Sequence, residues 1–257
     1  MKRFAIMTIF IVAIFSVMAG CSSSSSKDNK TLVIGVDDTF APMGFRDEKN
    51  NIVGFDIDYA KATAKEMGYK VKIQPIEWNT KESELISGRI DLIWNGYTIT
   101  DNRKKQVDFT KPYLKNAQVV VTLANSKINK LDDLKGKIVG LQAQSSASDA
   151  LNASPIKSKL KNVSEYSDNV MALNDLKSGR TDAVVIDEVV IDYYMSKQKG
   201  TFKVLNDSLA PEEYGVGVKK GNKELLNKLQ KALDKMNQDG TAAEISKKWF
   251  GENKVLK

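Results

Sequence analysis

Two kinds of apolar pattern alternate along the chain. Thr31 to Val36 is a short, nearly unbroken apolar run, as expected of a strand buried on both faces of a parallel sheet. Ile57, Ala60, Ala64 and Met67 then recur at helical spacing, with Asp56 as a candidate N-cap and Gly68 as the stop. Tyr69 to Ile76 reads as the next strand, and Thr80 as the N-cap of a short helix to Ser87. Ile90, Leu92, Ile93 and Trp94 form a further apolar strand that breaks at Asn95-Gly96, and Thr100 caps a short helix carrying Arg103. The alternation continues with a β-rich run, Ala117 to Leu123, a short amphipathic helix, Leu131 to Lys135, and a strand, Lys137 to Leu141. Ser146 and Asp149 form a capping-box-like pair. Asp168 caps a helix through Leu173 and Leu176, the strand Asp182 to Ile186 follows, and Asp187 is placed to cap a helix Glu188–Lys197. Tyr214 to Lys219 is a return crossover. A helix from Asn222 to Asn237 turns Leu225, Leu226, Leu229, Leu233 and Met236 inward. Thr241 and Glu244 form a capping box for a last helix ending at Trp249-Phe250-Gly251. Strands alternating with helices predict an α/β fold with mainly parallel sheets.

One pattern occurs twice. Residues 85–93 read L-I-S-G-R-I-D-L-I and residues 176–184 read L-K-S-G-R-T-D-A-V, with Leu, Ser, Gly, Arg and Asp at the same offsets. Each copy is a helix end, a glycine stop and an apolar strand. Two such units predict two lobes of like topology. Ligands of open α/β sheets sit beyond the carboxyl ends of strands, so the strand ends at Asn95-Gly96 and Ile186-Asp187 should face each other across a cleft. Arg103 falls in the first turn of its helix, where a cation is disfavoured by the helix dipole. Either it pairs with a nearby acid on the surface, or its fork and the free backbone N–H groups hold a bound carboxylate. With Asp187 opposite, a cation and an anion flank the cleft, which fits an α-amino acid zwitterion.

Composition narrows the field. The 257 residues contain no histidine, which excludes Ser–His and Cys–His catalysis and histidine-ligated metals. Cys21 is the only cysteine, so there is neither a disulfide framework nor a cysteine metal site. The formal net charge of +7 is spread along the chain rather than blocked, as in a solvated lysine-rich surface and not a nucleic-acid interface. Lys2 and Arg3 precede an apolar run, Phe4 to Ala19, shorter than the about 20 residues of a membrane-spanning helix. Met18-Ala19-Gly20-Cys21 resembles the lipobox of bacterial lipoproteins, in which the cysteine is diacylated after the leader is removed. Ser22 to Asn29 is a polar tether.

Other candidates lie in loops after strands. Phe40 either covers the ligand or is a core aromatic, and Trp78 is either a cleft wall or core. Asp37 either meets a ligand side chain or caps its loop. The Ser146 region caps a helix and can also hold an anion.

The motifs I-G-V-D-D-T-F-A-P-M-G-F, G-F-D-I-D-Y-A-K, D-L-I-W-N-G-Y-T-I-T-D-N-R and V-D-F-T-K-P-Y-L, in this order, resemble the extracellular amino-acid-binding proteins of bacterial ABC importers. These are solute-binding family 3, with the type II periplasmic-binding fold, and the resemblance covers essentially the whole chain after the leader. It implies a two-lobed clamp with two crossover hinge strands: lobe 1 from 31–120 and 214–257, lobe 2 from 121–213, after a signal peptide at 1–20 and a lipidated tether at 21–30. It further implies that Arg103 forks the ligand carboxylate with Thr98 and the backbone near Ser145 and Ser146. Asp187 would take the ammonium with the Asn95 or Gly96 carbonyl. Phe40 and Trp78 would sandwich the side chain, and Asp37, Tyr97 and Gln144 would tune its choice. Relatives often have serines where this chain has Asn95-Gly96. The expected protein is a monomeric receptor without cofactor, anchored by Cys21 on the outer face of the cytoplasmic membrane. It would pass one amino acid, with cystine or glutamine favoured, to a permease and its ATPase. The rival readings are an enzyme of the same fold with Asp187 as acid/base, which Arg103 would hold ionised, and a surface adhesin or sensor.

Overall fold

A computed structural model of the chain describes residues 31–256. The leader, Cys21 and the serine tether lie outside the described residues. Strand β1 (Thr31–Val36) leads through a small antiparallel sheet, β2 (Thr39–Phe40), β3 (Gly44–Arg46) and β4 (Ile52–Val53), into helix α1 (Phe55–Met67). There follow β5 (Lys70–Pro75), α2 (Lys81–Ser87), β6 (Leu92–Ile93), α3 (Asp101–Gln106) and β7 (Val107–Phe109). The long strand β8 (Leu114–Leu123) opens a second series: β9 (Ile138–Gln142), α4 (Ser146–Ala153), β10 (Asn162–Tyr166), α5 (Asn169–Lys177), β11 (Ala183–Asp187), α6 (Glu188–Lys197), β12 (Phe202–Val204) and β13 (Ala210–Tyr214). The chain closes with β14 (Gly217–Lys219), α7 (Lys223–Asp239) and α8 (Thr241–Phe250). Among the described residues no helix is long and apolar enough to cross a membrane.

The strands form two main sheets of matching design. The first runs β5-β1-β6-β14-β7, with β1 parallel to β5 and β6 and with β14 antiparallel between β6 and β7. The second runs β10-β9-β11-β8-β12, with β9 parallel to β10 and β11 and with β8 antiparallel to β11 and β12. Each lobe thus has a three-stranded parallel core joined by one antiparallel strand. β8 and β13 pair antiparallel over Leu114–Gln118 and Ala210–Tyr214, and this ribbon links the lobes. The expected crossover Tyr214 to Lys219 is in fact two strands in two sheets, divided at Gly215-Val216.

The repeated motif is a structural device. Leu85 and Leu176 are buried, and the hydroxyls of Ser87 and Ser178 donate to carbonyls three residues back. Gly88 and Gly179 take left-handed backbone, which costs a Cβ-free residue nothing. Arg89 pairs with Glu84, and Arg180 with Asp175. Asp91 and Asp182 each accept, at 2.8 Å, a backbone N–H from a parallel strand of their own sheet, that of Val33 in β1 and that of Ile138 in β9. The recurrence ties helix end to strand start in both lobes.

Several expected caps differ. Asp56 is inside α1, not at its cap: the Phe55 and Asp56 N–H groups donate to the Pro42 and Met43 carbonyls at 2.8 and 2.9 Å, which replaces a side-chain cap. Thr80 does not cap α2 but donates to the Glu77 carbonyl. Thr241 begins α8 with Gly240 before it, so no capping box forms. Gly68, Thr100, Asp168 and Asn222 stand at the helix ends read for them. α7 and α8 pack on α1, with Leu229, Leu233 and Met236 buried. Trp249 packs edge-on against Phe45, and its indole N–H donates to Asp58 at 2.8 Å.

Asp56 is fully buried and accepts the Gly96 N–H at 2.7 Å and the Tyr113 hydroxyl at 2.9 Å. Burial pushes its carboxyl up from 3.8 to about 7, against the hydrogen bonds from Gly96 and Tyr113. The folded state therefore keeps a proton that the unfolded chain has released between about pH 4 and 7. An acid with a raised folded-state value loses stability as pH rises through that window, here by at most about 4 kcal/mol at about 1.4 kcal/mol per unit. Asp56→Asn is expected to be less sensitive to pH than the native chain. Urea midpoints of both at pH 4.5 and 8 test this, and parallel changes in the two would refute it.

Candidate functional site

The carboxyl ends of β1, β5 and β6 face those of β9 and β11. The first lobe supplies Arg103. Its place in α3 follows from Thr100, whose hydroxyl accepts the Arg103 N–H at 3.2 Å. The Arg103 side chain is buried, its Nη1 donates to the Thr98 carbonyl at 2.9 Å, and its guanidinium lies 4.6 Å from the Tyr97 ring centre. Glu82 braces it from behind: its Oε1 is 3.9 Å from Arg103 Nε and accepts the Tyr97 hydroxyl at 2.8 Å. Nη2 has no partner among the described residues, so one prong of the fork is free for an anion.

The second lobe supplies Asp187 at the end of β11. It does not cap α6. Its Oδ1 instead accepts Asn116 Nδ2 at 2.9 Å and the Tyr214 hydroxyl at 2.5 Å, both from the β8/β13 ribbon. Burial first, and then the like charge of Glu212, push its carboxyl well above the usual carboxylate range. Arg103 therefore does not hold it ionised, contrary to expectation.

Three hydrogen bonds join the lobes around these two groups. Thr98 donates to Ser146 Oγ at 3.0 Å, Gln142 Nε2 to Asp37 Oδ2 at 2.8 Å, and Lys81 Nζ to the Gln144 carbonyl at 3.0 Å. Ser145, not Ser146, caps α4 by accepting the Ser148 N–H. That leaves the Ser146 hydroxyl to reach Thr98 and Gln118.

The remaining candidates divide by position. Phe40 is buried against Gly96, whose absent Cβ would stand 2.6 Å from its ring. Gly96 has φ +58, so both conformation and space require glycine. The Asn95 side chain is buried toward Gly44 with neither polar atom partnered. Trp78 is nearly buried, edge-on to Tyr97. Tyr97 is fully buried between Arg103 and Phe109, so it supports the guanidinium. Gln144 takes left-handed backbone at φ +53; its carbonyl meets Lys81 while its side chain is exposed. Asp37 Oδ1 accepts the Thr39 N–H and hydroxyl, so it both caps its loop and crosses the cleft. Burial raises its carboxyl despite those bonds.

The sequence reading missed Lys81, Glu82, Asn116, Gln118, Gln142 and Glu212. Lys81 is buried, and desolvation, with Arg103 close by, lowers its ammonium to about 8. Asn116 and Gln118 carried a usable signal. They are amides at alternate positions of one strand, which places both on one face.

A two-lobed α/β clamp with a guanidinium and a carboxyl group opposed at its strand ends is a small-molecule binding protein. The chain belongs to the bacterial extracellular solute-binding proteins, family 3, whose profile matches residues 32–252. It is 32% identical to the L-cystine-binding protein TcyJ of Escherichia coli K12, over 97% of this chain and 96% of that protein. It is 34% identical to the arginine-binding extracellular protein ArtP of Bacillus subtilis 168, over 97% and 98%. Among solved structures, it superposes with a TM-score of 0.87 on an ABC uptake transporter substrate-binding protein from Streptococcus pneumoniae with bound histidine. That protein is 40% identical, with 91% of this chain and 98% of the other covered.

Proposed function

We propose that this chain is the substrate-binding component of an amino-acid ABC importer, anchored by a lipidated Cys21 at the outer face of the cytoplasmic membrane. It works as a monomer that clamps one L-amino acid between its lobes and delivers it to a permease driven by its ATPase. The observation that carries this is the pairing of a free Arg103 prong in one lobe with the Asp187 carboxyl group in the other, across lobes joined by the Thr98–Ser146 bond. A zwitterion satisfies both groups at once and so favours the closed clamp. Phe40 and Trp78 would flank the side chain, with Asp37 and Gln142 at its far end. A carboxylate beside an amide suits a polar ligand such as cystine or glutamine. Asp37 also supports a second reading, a basic side chain, because no cation lies within 4 Å of it among the described residues.

The test is thermal melting of the soluble domain, first unfolded and refolded to strip bound ligand, against the L-amino acids, cystine, D-forms, dipeptides and sugars. A ligand at 1,000 times its Kd adds about 4 kcal/mol, which raises the melt by about 8–16 °C in a domain of this size. One clear hit among the L-amino acids is expected. A flat panel would refute the amino-acid assignment.

A further inference from the structure

Asp187 does not meet the cleft alone. Asn116 Nδ2, which donates to Asp187 Oδ1 at 2.9 Å, also donates to Glu212 Oε1 at 2.5 Å. Gln118 Nε2 donates to the same Glu212 oxygen at 2.9 Å and to Ser146 Oγ at 3.1 Å. A continuous chain of hydrogen bonds thus runs from Thr98 through Ser146, Gln118, Glu212 and Asn116 to Asp187 and Tyr214. Two carboxylates share one amide, and neither has a lysine or arginine within 4 Å among the described residues.

The groups around the pair offer no compensation. From β13 comes the Tyr214 hydroxyl, kept neutral by burial, with Tyr113 packed against its ring. From β8 come Asn116 and Gln118, and from α4 Ser146, all uncharged. Glu188 at the start of α6, Glu213 on β13 and Lys115 on β8 are exposed. Gln118 Oε1 is buried without a partner, so the cluster also has an unused acceptor.

We propose that Glu212 is the second carboxylate of the ammonium site, and that a ligand ammonium enters the Asp187/Glu212 pair in exchange for one proton released to solvent. This rests on the amino-acid-binding reading above. Two carboxyl groups bridged by one amide, with Asp187 itself buried, do not both ionise without a counter-charge. In the free protein the pair therefore holds a proton, and the raised Asp187 carboxyl agrees with this. An R–NH3⁺ group brings the missing charge and three donors. The carboxyl O–H bond breaks, both carboxylates become ionised, the ammonium protons bond to them, and the displaced proton leaves. Net charge is conserved. Binding strengthens as pH rises, by up to about tenfold per pH unit, until the free pair is itself ionised.

The test is calorimetric titration of the refolded protein with L-cystine, L-glutamine, L-histidine and L-arginine at pH 6.5, in phosphate and in Tris. These buffers differ in ionisation enthalpy, so their difference counts protons. For whichever of the four binds, release approaching one proton is expected. Glu212→Gln keeps an acceptor for Asn116 and Gln118. It should bind about 10- to 100-fold more weakly, with fewer protons released and a shallower pH profile, since burial of Asp187 remains. Binding by the native chain without proton release, or Glu212→Gln matching it in affinity and proton count, would overturn the proposal while leaving the receptor reading intact. If all four fail and the melting panel is flat, the receptor reading falls, and this inference with it.

Discussion

Arg103→Ala is expected to abolish ligand-induced stabilisation while leaving the fold in place. Truncating one partner of a buried, hydrogen-bonded charge pair costs about 2–5 kcal/mol of binding, which is about 30- to 5,000-fold in Kd. Here the lost group is the only arginine at the cleft among the described residues, and its Nη1 bond also fixes the Thr98 carbonyl whose residue reaches Ser146. The fold should survive because Glu82 keeps Lys81 at 3.3 Å and the Tyr97 hydroxyl at 2.8 Å. Arg103→Lys should rescue little, since an ammonium restores charge but not the planar fork stacked on Tyr97. Calorimetry with the hit from the melting panel decides it. Binding by Arg103→Ala within threefold of the native chain would remove Arg103 from the site.

The largest effect on stability is expected from Gly54→Ala. Gly54 has φ +144, and an added Cβ would stand 2.1 Å from the Met43 carbonyl oxygen, a backbone atom with nowhere to go. That carbonyl accepts the Asp56 N–H and so starts α1. Moving it disturbs the helix start and, through Asp56, the Gly96 N–H at the cleft. Strain and a lost cap together should cost at least about 4 kcal/mol, or about 8–16 °C in the melt. A variant melting within 3 °C of the native chain would show that the loop yields more easily than this geometry allows.

Much of this was legible in the sequence where one local rule decides. Strand β1 matches its apolar run, and Gly68 and Thr100 stand where the helix punctuation put them. The repeated Leu-Ser-Gly-Arg-Asp pattern gave two lobes because every member acts within a few residues or on an adjacent strand. The misread caps share a cause. At Asp56 and Asp187 a side chain able to cap had a stronger partner far away in sequence, in Gly96 and Tyr113 or in Asn116 and Tyr214. Spacing does not show a donor brought in by another element. Lys81 and Glu82 read like any charges at the start of a short helix, because the turn that brings them against Arg103 and Gln144 has no local signature. Glu212 lies in a Pro-Glu-Glu stretch that reads as a solvated edge. Only the antiparallel pairing with β8 turns one of its two glutamates inward.

The topology also sets the order in which the strands of each sheet become available along the chain. The second sheet is drawn from one uninterrupted stretch, 114–214, whereas the first needs β14, from beyond that stretch, as the strand between β6 and β7. Until Gly217–Lys219 arrives, β6 has an open edge and β7 no neighbour, and α7 and α8 have yet to cover α1. The lobe that begins the chain is thus the last to be finished. In chain order every strand of the second sheet has appeared before the first sheet has all of its own, and the Arg103 half is completed only by the tail.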